Sequence, residues 1–474
     1  MACEPRPRAG VALLSAEWFL SVGLQGGSTA AQAELSALVQ KDILRVLAAL
    51  EPHFQLVYPG PVSTAAQAAA ASRRFRAEGA ELLILVHVMW SEDGPLVRLL
   101  RESAGLPVLL WCYNPYDRLP ERMSTRELFR ASGPVGFLQG SAPLARMGVE
   151  FSYVFGHPED ARLASELADC ARVFAVRAEL GSLRIGQIGP RCESMAGGYV
   201  DEFGLLSRLG VSLVPVSAGR LAEEARGIAP GTVDGFLREL KSRYRVQGVS
   251  ERSLELSARA SLAVAALAER EGLGAVAIED LNPELHRLLG TRPCLWVPSL
   301  GERGVVVGME ADIGSTLGMW LTRRLGASTP LYTEIFTFDR EANCLLFGHA
   351  GMSDPELAGG GEVAIVPDAE YAAADEVEGA WLSFTARPGP VTAVSLFAGL
   401  QRYRVACFRG EVLPTREKLA GFPHALVRIQ QPLQAFFERA GRLGLTQHFA
   451  LSYDEVAGRL ARFCRVAGLD WEEL

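Results

Sequence analysis

The stretch VVVGMEADIG, Val305 to Gly314, decides how this chain is read. Three valines run into a Gly-Met-Glu-Ala-Asp cluster and on into STLGMWLTRRL, where Ile313, Leu317, Trp320, Leu321 and Leu325 recur at helical spacing. The pattern predicts a buried strand turning straight into a helix, with Glu310 and Asp312 at the turn. In open α/β sheets, ligands bind in the crevice beyond the carboxyl ends of the strands, so these acids stand where chemistry can be done. A plainer reading of the same residues is a solvated turn and an acidic helix start that suits the helix dipole.

Working outward, the segments before this stretch alternate short apolar runs with helical patterns. WFLSVG, FQLVYPG, LLILVHV and PVLLWCY are separated by stretches such as Gln32 to Leu50, in which Leu35, Leu38, Val39, Ile43, Val46, Leu47 and Leu50 mark one helix face. A second series follows a helical connection from His157: LRIGQIG, VSLVPVS, GAVAIED, CLWVPS and VVVGME. Strand and helix in alternation predict a parallel sheet in each series. Beyond about Pro330 the runs EVAIVPD, WLSFTARPG, VTAVSLFAG, RYRVACFRGEVL and HALVRI are punctuated by Gly and Pro, with little helix until the last turns, which predicts an antiparallel β-domain. The expected fold is therefore α/β, two stacked parallel-sheet domains (residues 1–160 and 161–329) followed by an antiparallel, barrel-like domain (residues 330–474).

A chain of 474 residues, 49% hydrophobic, is too long for one core and too apolar for disorder. Its net charge of -8 gives no footprint for nucleic acid or an anionic membrane, so a small-molecule partner is expected. No apolar run reaches the roughly 18 residues of a membrane helix. At the N-terminus AGVALLSA is barely long enough for a signal peptide, and EWFLSVG reads as an ordinary first strand. Cys3, Cys112, Cys170, Cys192, Cys294, Cys344, Cys407 and Cys464 show no CxxC spacing, as reduced thiols of a cytoplasmic protein would.

Among seven histidines, His53, His157 and His286 fall at helix ends or turns and His424 opens a β-run. His87 ends LLILVHV near the first sheet's carboxyl edge, His349 heads the Gly-rich loop of LLFGHAGMSDPELA, and His448 starts a strand in GLTQHFALSYD. No G-x-G-x-x-G follows a first strand and no G-x-x-x-x-G-K-[ST] is present, which removes the usual nucleotide cradles. FLQGSAPLA is not a G-x-S-x-G elbow. GPRCESMAGG, Gly189 to Gly198, follows a predicted strand and offers Arg191 and backbone amides to a ligand.

Three segments together resemble the L-fucose isomerase and L-arabinose isomerase superfamily. GVVVGMEADIGSTLGMWLTRRL is similar to its Glu-Gly-Asp strand-to-helix segment, LYTEIFTFDREANCLLFGHAGMSDPELA to its second acidic segment with the histidine loop, and GLTQHFALSYDEVAGRLARFCRVAGLD to its C-terminal histidine segment. The β-domain run GPVTAVSLFAGLQRYRVACFRGEVL resembles the fucose isomerase-like branch. The resemblance implies a divalent ion, usually Mn²⁺ but also Co²⁺ or Mg²⁺, with Glu310, Glu334 and His448 as ligands. His349 would be a further ligand or a substrate contact. It also implies a homo-oligomer, hexamer or trimer, whose neighbouring N-terminal domain brings Gln25 or His87 to the substrate. Gln447 stands where many relatives carry the first of two histidines, and Ala311 replaces the glycine of Glu-Gly-Asp.

The chemistry fits those residue types. Interconverting an aldose and a ketose moves a proton between C1 and C2 through a cis-enediol, which needs a base, an acid for the oxygens and a cation for the developing charge. Oxygen and imidazole ligands suit Mn²⁺. Glu310 and Glu334 are the expected acid/base pair, and Gln447, Arg191, Gln25 and His87 the expected contacts of a pentose, 6-deoxyhexose or 6-substituted hexose. The rival expectations are a non-catalytic sugar-binding protein, since two parallel α/β domains also describe lobes that clasp sugars, and an epimerase or aldol lyase that shares the enediolate.

Overall fold

The computed structural model describes residues 6–16, 29–368, 370, 378–399 and 401–474. These form two compact units, Met1–Ala178 with Ala461–Gly468, and Glu179–Leu460 with Leu469–Leu474. No described helix is long and apolar enough to cross a membrane.

In the first unit, strands β1 (Arg8–Leu14), β2 (Gln55–Val57), β3 (Leu82–His87), β4 (Val108–Tyr113) and β5 (Phe151–Gly156) form a parallel sheet in the order β2-β1-β3-β4-β5. β3 is buried along its whole length, as a central strand covered by helices on both faces must be. AGVALLSA thus supplies β1, between β2 and β3, and the strand expected at WFLSVG lies outside the described residues.

The second unit begins with another parallel sheet. It contains β6 (Arg184–Ile188), β7 (Ser212–Val216), β9 (Ala275–Ile278) and β10 (Val306–Met309) in the order β10-β9-β6-β7, while the short β8 (Arg245–Val246) pairs elsewhere. The CLWVPS run, expected as a strand, is instead a buried irregular segment: Cys294 to Val297 are all buried, and the helix Pro298–Glu302 starts at its end. Pro293 and Pro298 bracket this apolar run and bias it away from a hydrogen-bonded ladder.

The remaining strands are β11 (Leu331–Asp339), β12 (Cys344–Gly348), β13 (Val363–Pro367), β14 (Ala380–Phe384), β15 (Gly389–Ala398), β16 (Tyr403–Val412), β17 (His424–Ile429), β18 (His448–Ser452) and β19 (Asp470–Glu473). Six of them run antiparallel in the order β15-β18-β11-β12-β17-β16, and β15 pairs with β16 to close a barrel; β19 adds to β16 outside the ring. Strands β14, β13 and β8 form a separate small sheet. The fold is thus two parallel-sheet α/β domains and a closed antiparallel barrel.

Two features of the second unit place the site. The helix Ile313–Leu325, which follows β10, packs on β15 and β18 of the barrel. Its Gly314 permits that approach: a Cβ there would lie 2.6 Å from the Leu396 carbonyl oxygen. Within the barrel, Glu334 on β11 is paired with Gly348 on one side and His448 on the other, so Glu334, His448 and His349, which directly follows Gly348, meet on adjacent strands.

Candidate active site

The β10-to-helix turn is built on two non-glycine residues in the left-handed region, Glu310 (φ 58°) and Ala311 (φ 49°). Such a conformation costs a side-chain-bearing residue about 1–2 kcal/mol, so hydrogen bonds must hold it. The Ala311 N–H donates to the Ile278 carbonyl at 2.9 Å and the Glu310 N–H to Asp280 Oδ1 at 2.9 Å. Asp280 is itself anchored, because its Oδ2 accepts from Arg292 Nη1 at 2.9 Å. Arg292, 1% exposed, also grips Asp368 through Nε (2.6 Å) and Nη2 (3.0 Å), and it lies over the Trp381 ring at 5.0 Å.

From this turn the Glu310 carboxylate faces two imidazoles of the barrel. His448 Nε2 is 3.0 Å from its Oε2, His349 Nε2 is 3.8 Å from its Oε1, and the two Nε2 atoms are 3.4 Å apart. The opposite ring nitrogens are committed. His448 Nδ1 donates to Asp312 Oδ2 at 2.9 Å, and His349 Nδ1 to the Ala350 carbonyl at 2.6 Å. Neither oxygen has a hydrogen to give, so both histidines carry hydrogen on Nδ1 and, when neutral, present lone pairs from Nε2. The Tyr332 ring packs against both imidazoles, at centroid distances of 4.9 and 5.0 Å.

Three lone-pair atoms, one from each of Glu310, His349 and His448, thus lie within 4.8 Å of one another, the only such group found among the described residues. Neutral imidazoles fixed by outer hydrogen bonds beside a carboxylate are the donor chemistry that holds a divalent ion, and these residues fit one. Without an ion, the electrostatics instead hold a proton on His448 that a bound ion would displace. Burial opposes charge on His448, but hydrogen bonds to Asp312 and Glu310 outweigh it and raise the imidazole to about 9. Burial likewise opposes charge on Glu310, yet the bond to His448 and the nearby His349 bring its carboxyl below the usual value. The Glu334 carboxyl moves the other way: burial pushes it up, and His349 and His448 only partly offset that.

The other expected residues lie as follows. Gln447, exposed, donates from Nε2 to Met195 Sδ at 3.0 Å, which ties it to the loop after β6. Arg191 in that loop is exposed, pairs with Glu202 at 2.7 Å and lies over Tyr199. His87, 2% exposed, bonds Ser91 Oγ at 3.0 Å, and the glycines at 136 and 140 make room for its ring; burial lowers its pKa to about 4. Gln25 lies outside the described residues. Asp312 was visible as a helix-start acid but not as the partner of His448; the same side chain caps the helix by accepting from the Ser315 N–H at 2.8 Å. Asp280 had only its position at the end of the GAVAIED run to signal it.

Comparison with known proteins follows the same line. No protein-family model matches the chain. A sulfoquinovose isomerase of Alkalicoccus urumqiensis is 22% identical over 386 residues, 81% of this chain and 84% of that protein. The sulfoquinovose isomerase of Priestia megaterium is 24% identical over 382 residues, 80% and 82% of the two chains. An L-arabinose isomerase of Thermotoga neapolitana is 26% identical over 298 residues, 62% and 59%. The chain belongs to the fucose/arabinose isomerase-like superfamily. Within that superfamily its Glu/His/His trio joins the end of a parallel sheet to the rim of a closed barrel, and Ala311 keeps the left-handed backbone that a glycine adopts without strain.

Proposed function

We propose that the protein is a metal-dependent aldose–ketose isomerase acting on a small sugar. The observation that carries this reading is the convergence of Glu310, His349 and His448 on one point, with both Nδ1 hydrogens already spent on other partners. A sugar-binding lobe has no need of such a set. Sulfoquinovose, named for relatives that align over four-fifths of the chain, stands first among the 6-substituted hexoses to try, ahead of L-arabinose.

In this reading Glu310, His349 and His448 hold the ion, with Glu334 completing the set from the paired strand. When bound, a divalent ion such as Mn²⁺ supplies Lewis-acid polarisation of the sugar carbonyl and charge for the enediolate. The chain's own residues do the rest. Glu310 and Glu334 flank the reacting carbons: one takes the proton from C2 or C1 and delivers it to the neighbouring carbon, while the other moves the hydroxyl proton between O2 and O1, so both end the cycle as they began it. A carboxyl pushed up by burial, as Glu334 is, suits that exchange because it takes and releases a proton nearer neutrality. Tyr332 packs on both imidazoles and keeps water from that side. The organisation is that of residues 1–160, 161–329 with Glu310, and 330–474 with the other three, in a cytoplasmic homo-oligomer.

The test is direct. Protein reconstituted with Mn²⁺ is incubated in D₂O with pentoses, 6-deoxyhexoses and sulfoquinovose. Ketose formation with deuterium at C1 or C2 is expected from the wild type and not from Glu310→Gln. An ion-loaded wild type that converts none of them defeats the proposal.

A further inference from the structure

We propose that Glu279 is a substrate-contacting residue of this site, hydrogen-bonding a hydroxyl of the sugar beyond the reacting carbons. The inference rests on the isomerase reading and extends its pocket across one more strand. β9 pairs with β10 in register at Ile278 and Met309, so Glu279 and Glu310 are the next residues on neighbouring strands, at the same carboxyl edge. The parallel ladder reaches Glu279, whose N–H donates to the Ile188 carbonyl at 2.8 Å. Its side chain is therefore placed about one strand spacing, roughly 4.8 Å, from the ion ligand's strand.

Glu279 is 4% exposed, and its Oε2 has no hydrogen-bond partner among the described residues. Buried polar atoms in native proteins are almost always satisfied, so an unpartnered carboxyl oxygen beside a ligand site calls for a partner from outside the chain. The loop from Gly189 to Gly198 spans both places. A Cβ on Gly189 would lie 2.9 Å from the Glu279 Cβ, Cys192 is a hydrogen-bonding neighbour of Glu279, Met195 accepts from Gln447, and Gly198 faces Asp312. One loop thus runs from Glu279 to Gln447 and the partner of His448. Burial first, and then the adjacent Asp280 charge, push the Glu279 carboxyl up to about 7. Near neutrality it is available both as an O–H donor and as an acceptor, which matches a sugar hydroxyl's own two roles.

The probe is a pair of alditols, arabinitol and galactitol, which carry the hydroxyls of open-chain sugars but no carbonyl to react. Their binding to Mn²⁺-loaded protein is measured by calorimetry in the wild type, Glu279→Gln and Glu279→Leu. Mn²⁺ affinity is expected to change less than about twofold in both variants, because Glu279 is outside the ion's donor set. Alditol affinity is expected to fall about tenfold in Glu279→Leu, the worth of one buried hydrogen bond, and to recover in part in Glu279→Gln. A second readout, independent of the ion and of the leucine variant's folding, is the infrared carbonyl stretch of a protonated carboxyl. It is expected in the wild type, lost in Glu279→Gln, and shifted when alditol is added. Unchanged alditol affinity in Glu279→Leu, or a carbonyl band indifferent to alditol, overturns the inference and leaves the ion site standing. A wild type that binds Mn²⁺ but no alditol also overturns it. A wild type that binds no Mn²⁺ overturns the isomerase reading, while the infrared shift still decides the contact.

Discussion

Asp312→Asn separates the two tasks of one side chain. Asp312 Oδ1 accepts the Ser315 N–H at 2.8 Å as the helix cap, and Oδ2 accepts the His448 Nδ1–H at 2.9 Å. Asparagine is as good a cap as aspartate, so the first bond survives with Oδ1 in place. The second does not, because the amide then turns an N–H₂ group toward a nitrogen that also carries hydrogen. The imidazole loses its fixed orientation and its preference for presenting the Nε2 lone pair. Losing an outer partner of this kind weakens an ion about 10- to 100-fold, or about 1.4 to 2.8 kcal/mol. Asp312→Ala should lose the same affinity and the cap as well, a further ~1 kcal/mol of folding stability. Mn²⁺ affinity by competition with a chelator, together with urea unfolding of the ion-free proteins, reads the two effects separately. Wild-type Mn²⁺ affinity in Asp312→Asn would refute the role given to this hydrogen bond.

Other predictions follow from the same geometry. Because His448 holds a proton up to about pH 9 when no ion is bound, ion binding must displace it; apparent Mn²⁺ affinity should fall about tenfold per unit as pH drops below that value, and a flat profile from pH 8 to 6 would exclude Nε2 as a ligand. Ala311→Gly should raise stability by about 0.5 to 1 kcal/mol, the left-handed strain relieved minus the entropy a glycine adds to the unfolded chain; a lower urea midpoint counts against it. Arg292→Met leaves Asp280 and Asp368 buried without their cation, so a loss of about 3–5 kcal/mol is expected on urea unfolding, and a loss under 1 kcal/mol would show the ion pairs to be idle.

The place of Glu310 was legible from a strong local signature, whereas Glu334, His349 and His448 were joined to it only by the family resemblance. The switch from valine run to helical period at Val305 placed Glu310 at a strand end, and the structure has β10 end at Met309. His349 and His448 were visible as polar interruptions beside apolar runs, but only pairing across β11 brings them to one point. The register of the β11–β12 hairpin is set locally by its turn, but the pairing of β11 with β18 joins segments far apart in the chain. Glu279 and Asp280 stayed hidden for a related reason: at the end of GAVAIED two acids look like a solvated turn, and only the burial of Arg292 behind them shows otherwise. AGVALLSA was weighed only as a signal peptide, for which it is barely long enough, yet it forms β1 between two parallel neighbours, while WFLSVG lies outside the described residues. The CLWVPS run had the composition of a strand without a neighbour to pair with.

The donor trio also has a bearing on folding. Glu310 belongs to the parallel sheet and both histidines to the barrel, and the bond from Asp312 to His448 joins positions 136 residues apart in the chain. Each of these contacts closes a long loop of chain, whose entropy must be met when it forms. An ion seated on all three would therefore act as a thermodynamic reporter of the finished tertiary structure. At a hundredfold excess over its Kd it would add about 2.7 kcal/mol to the native state alone, and its release on warming would mark the parting of sheet and barrel.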